Sequence, residues 1–427
     1  MINFLFSLVL LFLSITIQAQ ELIKNYVKNN TAQILTIEPD SADYSDLKSI
    51  GDAIGDAKIV MLGEQYHGDA TTFLAKSRLV KYLHEKKGFN VLAFESDFYA
   101  LNEGWDKLPK TKRDIDSFMY KNPFPIWSYC NACSNLFYDY VAKTFETTNP
   151  LQVTGFDCQL HGDYSRKNFI NDLKLYINKP GFVDYTINNQ LEFVLPLFDS
   201  MVMPNYQKSI LTCDKLINNL KLFYNQISLN ANTDKFWLQV IKSLIAYEIQ
   251  MKAELEKATN LYHIRDMQMA DNIDWLYKNK YQGEKIIVWA ASAHISKNSA
   301  DIFNFSTADN NMMGSYMDRN PDFKDKVYSI GFTSYRGYSQ WITLAERYMK
   351  LQKPNKNSFE NWINKKYNYA FVDFKKFKEI NPSSMEAFSM KGSTYKPHYN
   401  YTFSWANVFD GIFFIREMYG CKNINEK

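Results

Sequence analysis

Three proton-handling side chains stand close together in the chain, each just past an apolar run. Ile59-Val60-Met61-Leu62-Gly63 leads to Glu64, with His67 three residues on, and Val91-Leu92-Ala93-Phe94 leads to Glu95. Histidine changes charge near neutral pH, so it can take a proton from water. A neighbouring carboxylate can fix its tautomer and stabilise the imidazolium that forms. A second histidine, His294, stands shortly after the run Lys285–Trp289, and another carboxylate, Asp157, follows the run 151–154. Asp157 reads equally well as a cap on the helix after it. Lys76 and Arg78, between the first two runs, are candidates to stabilise a developing oxyanion. The chain carries no Gly-x-Ser-x-Gly elbow and no His-Glu-x-x-His. This set suits water attacking a carbonyl without a covalent intermediate. Because His and Glu also ligate metals, a metal-dependent hydrolase of another bond is one alternative. A non-catalytic binding protein on an inherited fold is another.

These residues need a scaffold that brings strand ends together. Apolar runs of this length, bounded by glycine, suit strands buried on both faces of a parallel sheet. The segment 71–85 is amphipathic and long enough for a crossover helix, and Gly88-Phe89-Asn90 turns the chain into the next strand. Parallel strands end at one sheet edge, so Glu64, His67 and Glu95 are expected to meet at the carboxyl ends. Further strands are predicted at 151–154, 285–289, 327–333, 369–372 and 411–415. Between them, apolar residues recur at three- and four-residue spacing over 169–176, 190–201, 209–227, 236–255 and 262–278, with no convincing strand. The predicted class is therefore α/β. Residues 21–162 and 281–427 would form a mostly parallel sheet core with flanking helices, and 163–280 a large helical insertion, or lid, over the carboxyl-end cleft. The stretch 97–130 holds Trp105, Pro109, Pro123, Pro125 and Trp127. It is expected to build a cleft wall from loops, with Trp127 placed to recognise a substrate.

Phe4 to Ile17 is nearly all apolar and is followed by Gln18-Ala19-Gln20, which reads residues 1–20 as a secretory signal peptide. The mature protein is expected to be secreted or periplasmic, without stable membrane insertion after processing. Five cysteines, Cys130, Cys133, Cys158, Cys213 and Cys421, leave at least one unpaired within the chain. Cys130-Asn-Ala-Cys133 has redox spacing but lies in the aromatic stretch, which predicts a local disulfide or two plain thiols. A net charge of +3 with no basic stripe argues against nucleic acid as a partner. The stretch Gly51–Lys58 precedes a strand and lacks phosphate-loop spacing, so no nucleotide cofactor is implied. The expected partner is a small molecule, and no motif fixes an oligomeric state.

Read together, several blocks resemble the erythromycin esterase family. They are Leu62-Gly63-Glu64-x-x-His67-Gly68, Lys76-Ser77-Arg78-Leu79, Gly88-Phe89, Phe94-Glu95, Gly155-Phe156-Asp157, Arg265-Asp266-x-x-Met269-Ala270, Val288-Trp289-Ala290 and His294. The resemblance implies an α/β core with helices over a deep cleft. It also implies hydrolysis of an ester or lactone by His-activated water, with no metal and no other cofactor required. On it, His67 would be the general base, Glu64 and Glu95 its essential carboxylates, and His294 part of a second essential region. Lys76 stands where family members usually carry a basic residue, and Lys76, Arg78, Asp157, Trp127 and Arg265 are this sequence's candidates for substrate binding. Two positions depart from the pattern. Ala291-Ser292 stand where family members commonly carry His-Asn, and Thr71 stands where a Glu is common. The departure at 291–292 predicts weak or absent cleavage of erythromycin itself.

Overall fold

The computed structural model describes residues 21–179, 209–229, 233–258, 262–299, 311–343, 347–392 and 398–425. The proposed signal peptide and the helix expected at 190–201 lie outside them. Eleven strands are described: β1 (Ala32–Ile34), β2 (Ile59–Leu62), β3 (Phe89–Asp97), β4 (Gln152–Asp157), β5 (Lys285–Trp289), β6 (Val327–Trp341), β7 (Arg347–Lys350), β8 (Tyr369–Asp373), β9 (Phe388–Met390), β10 (Tyr401–Phe403) and β11 (Gly411–Met418). Nine form one sheet in the order β1-β8-β11-β6-β2-β5-β3-β4, with β7 paired to β6; β9 and β10 make a separate ribbon. From β11 to β4 every neighbouring pair is parallel. The pairs β1–β8, β8–β11 and β6–β7 are antiparallel.

Alternation along the buried strands splits the core in two. Ile59, Met61, Val91, Ala93, Ile286 and Val288 join one apolar cluster, while Val60, Leu62, Leu92, Phe94, Ile287 and Trp289 join the other. Successive residues of a strand face opposite sides, so both sheet faces are covered and each strand reads as an unbroken apolar run. The helix Ala70–Lys87 connects β2 to β3 and ends at Gly88, whose φ of 72° supplies the left-handed cap.

The strand–helix–strand reading of 59–95 holds with one addition. β2 and β3 are parallel but not adjacent, because β5 lies between them. Leu62, Trp289 and Phe94 are in register across the three strands. The residues just beyond them, Glu64, Ala290–Ala291 and Glu95, therefore emerge side by side at one edge.

Helices occupy the described part of 163–280: Asp163–Ile177, Ile210–Ser228, Lys235–Leu255 and Tyr262–Trp275. The last packs on β4 and carries Arg265 and Asp266 to the sheet edge. The stretch 97–130 differs from the expected loops. It folds into helical turns at Ala100–Gly104, Trp105–Lys107, Lys112–Lys121 and Pro125–Ser128. Thr111 caps one of them by accepting from the Asp114 amide, and Pro125 opens another at a position where no amide donor is needed. The cysteines also differ from the local pairing considered above. Cys130 is bonded to Cys421, tying this wall to the end of the chain, while Cys133 stays a buried thiol. No described helix is long and apolar enough to cross a membrane.

Candidate active site

The loop between β2 and its helix, Gly63 to Asp69, carries the first group. Gly63 is required because a Cβ there would lie 2.3 Å from Ser292 Oγ, and Gly68 because one would lie 2.5 Å from the Gln340 backbone. Glu64 is fully buried and its carboxylate is saturated with donors. Oε2 accepts from Lys76 Nζ, while Oε1 accepts from Trp127 Nε1 at 3.0 Å and faces His67 Nδ1 at 3.1 Å. A carboxylate only accepts, so His67 donates from Nδ1 and its other nitrogen, Nε2, holds the lone pair. No described residue partners Nε2, and the His67 side chain remains 22% exposed. Two indoles brace the ring edge-on, Trp127 at 5.7 Å and Trp341 at 5.4 Å. Lys76, also fully buried, lies 4.2 Å over the Trp289 ring. Burial lowers its pKa to about 8, against the opposing pull of Glu64.

The second group forms around Glu95. His294 lies between two carboxylates, with Nδ1 2.7 Å from Asp266 Oδ1 and Nε2 3.0 Å from Glu95 Oε1. Burial alone would favour the neutral ring, but Asp266 and Glu95 outweigh it and raise its pKa to about 10. Arg265 grips Asp157 through Nε at 3.0 Å and through a terminal nitrogen at 2.6 Å, and that same nitrogen reaches Glu95 at 2.9 Å. Burial opposes the Glu95 charge, yet His294, Arg265 and His67 hold its carboxyl well below the usual range. Glu95 Oε2 accepts from the Ala291 amide at 2.9 Å. Beside this group, His161 stacks on Phe124 at 3.5 Å and accepts from the Asp97 amide. Burial and two arginines depress its pKa to about 3.

Glu64, His67, Lys76, Glu95, Asp157, Arg265 and His294 thus collect at one edge. Trp127 is fully buried, and its indole N–H is committed to Glu64. Arg78 does not join them; it is spent on Asp46 and on the Thr36 and Asp43 carbonyls. Thr71 accepts from the Tyr419 amide, and Ser292 is buried against Gly63. Sequence reasoning missed Asp266 as a partner of His294, and it missed the support beneath the loop. There Asp69 meets His398 Nε2 at 3.0 Å, His398 Nδ1 meets Ser334 Oγ at 3.4 Å, and Ser334 donates to Gln65 at 3.1 Å. Both feet of the loop, Gln65 and Asp69, are tied by this buried ring. Among the described residues no group of three or more His, Cys, Asp or Glu is arranged to hold a metal ion.

A mostly parallel α/β sheet with charged pairs massed at its carboxyl edge is an arrangement in which ligands bind in a strand-end crevice. The family model for erythromycin esterase matches residues 84–418, and the chain belongs to that hydrolase family. YbfO of Bacillus subtilis (strain 168) is 27% identical over 326 residues, covering 71% of this chain and 70% of its own. Erythromycin esterase type II of Escherichia coli is 23% identical over 377 residues, covering 80% and 85%. The solved structure of an erythromycin esterase mutant, EreC, in its open conformation has a TM-score of 0.67 at 16% identity, covering 93% of this chain and 99% of that one. At that identity the likeness establishes the fold alone.

Proposed function

We propose that this chain is an exported hydrolase in which His67 activates water to attack an ester or lactone carbonyl. The observation that carries the reading is the pairing of His67 Nδ1 with Glu64 at 3.1 Å, which leaves a lone pair on Nε2 of a side chain that is partly exposed. Glu64, anchored by Lys76 and Trp127, fixes the tautomer and stabilises the imidazolium formed when Nε2 takes a proton from water. The imidazolium then returns that proton to the leaving alkoxide. The carboxylates at this edge are already committed to Lys76, Arg265, His67 and His294, which supports proton transfer over metal ligation. The decisive experiment replaces His67 with Ala. Ester hydrolysis should vanish while thermal unfolding changes little, because a partly exposed ring contributes little to the core. A folded variant that keeps its turnover overturns the reading, and activity abolished by a chelator and restored by zinc or manganese transfers it to a metal mechanism.

Export rests on the leader-like residues 1–20 and is supported by the Cys130–Cys421 bond, a feature of oxidising compartments. Amino-terminal sequencing of exported protein should find a start near Gln20 or Glu21, and retention of Met1 in a membrane fraction would sink this. Erythromycin should be a poor substrate next to other esters and lactones, because Ala291 and Ser292 bring no imidazole or amide to the edge. A substrate panel on which erythromycin has the highest catalytic efficiency refutes that expectation.

A further inference from the structure

Attack on a carbonyl needs a donor for the oxygen that becomes negative. The two cations nominated from sequence are both occupied. Lys76 is fully buried and donates to Glu64 and to the Ala290 carbonyl, and Arg78 is bound to Asp46 away from the cluster. Arg265 is different. A guanidinium has five N–H donors in a fixed fork. Nε and one terminal nitrogen, Nη2, are spent on Asp157 and Glu95. The other terminal nitrogen, Nη1, has a single hydrogen-bond partner among the described residues, His294 Nε2 at 3.3 Å. That nitrogen of His294 is closer, at 3.0 Å, to Glu95 Oε1, while Nδ1 is 2.7 Å from Asp266. His294 Nε2 can engage at most one of the two Nη1 hydrogens. At least one Nη1 hydrogen therefore has no acceptor among the described residues, although the guanidinium is clamped beside Glu95.

We infer that Arg265 Nη1 is the oxyanion donor of this site, and that Asp157 and Glu95 serve to aim it. The inference rests on the ester-hydrolase reading above. As the water oxygen bonds to the carbonyl carbon, its proton passes to His67 Nε2 and the carbonyl π pair moves onto oxygen. The Nη1 hydrogens meet that charge. On collapse the pair returns, the bond from carbon to the alkoxy oxygen breaks, and the proton on His67 goes to the leaving alkoxide.

The test uses the full chain, a small aryl ester and a methylphosphonate monoester as a stable anionic mimic of the tetrahedral state. Arg265→Lys keeps a cation for Asp157 and Glu95 but not the fork. Its kcat should fall by about two to three orders of magnitude, with KM moving far less. Phosphonate affinity should fall in parallel in Arg265→Lys and survive in His67→Ala. Arg265→Ala, where it folds, should regain turnover with added methylguanidinium and not with methylammonium. A folded Arg265→Lys within a few-fold of the parent kcat overturns the assignment, as does a folded Arg265→Ala that methylguanidinium does not rescue. If the parent shows no His67-dependent ester hydrolysis, the underlying reading has failed, and phosphonate binding still reports whether Arg265 Nη1 receives an anion.

Discussion

His294 should make the stability of this protein depend on alkaline pH in a way that one substitution removes. Its pKa is raised from 6.5 to about 10: burial works against the charge, and Asp266 and Glu95 more than offset it. Each pKa unit is worth about 1.4 kcal/mol, so a shift of this size carries about 4 to 5 kcal/mol. The unfolded ring loses its proton near 6.5 and the folded one near 10. The stabilisation is therefore fully present below pH 6.5 and drains away as pH rises towards 10. Lys76 works in the opposite sense. Its burial lowers the folded pKa to about 8, so its cost is relieved above that pH. A raw stability profile would mix the two. The difference between the parent and His294→Gln cancels Lys76 and isolates His294. Urea unfolding of both proteins at pH 6, 8 and 10 should show a penalty for His294→Gln of several kcal/mol at pH 6, shrinking steadily to pH 10. A penalty that stays constant or grows across that range would mean that His294 is not held as an imidazolium between its two carboxylates.

Three further outcomes follow from the same geometry. Lys76→Met takes the cation from the fully buried Glu64 carboxylate and should cost about 3 to 5 kcal/mol in chemical denaturation, whereas adding Glu64→Gln should recover much of the loss. Reducing the Cys130–Cys421 bond, which spans 291 positions, should lower stability by up to about 5 kcal/mol on loop-closure grounds, and a Cys421→Ser variant should show no response to dithiothreitol. His398→Ala should release one foot of the His67 loop and cut kcat by about 10- to 100-fold at little change in KM; His398→Gln, which can still donate to Asp69, should restore most of it.

The parts of this site that could be read from sequence are those set by local pattern. An apolar run followed by a polar side chain marks a strand end, which is why Glu64, Glu95, Asp157 and the region of His294 were all visible. What pattern cannot carry is order across the sheet. Nothing near residue 62 says that 285–289 will slide between β2 and β3, yet that insertion sets the spacing of Glu64 from Glu95. Lys76 and Arg78 show a finer limit. They are two positions apart on one helix and so point in different directions, one to the site and one to Asp46. His398, Ser334 and Cys421 reach their partners across hundreds of residues and leave no local trace. β1, β9 and β10, at three residues each, are too short for any periodicity to show. By contrast, the caps at Thr111 and Pro125 were legible signals for helices in 97–130, outweighed by the prolines and aromatics around them.

Sequence also grouped the two strand-end histidines together, and their surroundings set them apart. His67 has one carboxylate partner, a pair of indoles at its edges and a second nitrogen with no partner among the described residues. His294 has a carboxylate on each nitrogen and almost no exposure. The first arrangement leaves a lone pair free to accept a proton and a neighbour ready to stabilise the result. The second locks the proton in place, so the ring can only act as a fixed positive charge. Two identical side chains set in different surroundings are how one site can hold both an acid–base group and an electrostatic one. His294 then bears on catalysis through Glu95 and Arg265: beside Glu95 it favours the ionised carboxylate, and it engages at most one hydrogen of Arg265 Nη1. The other Nη1 hydrogen is the one that the proposed oxyanion donor would offer a substrate.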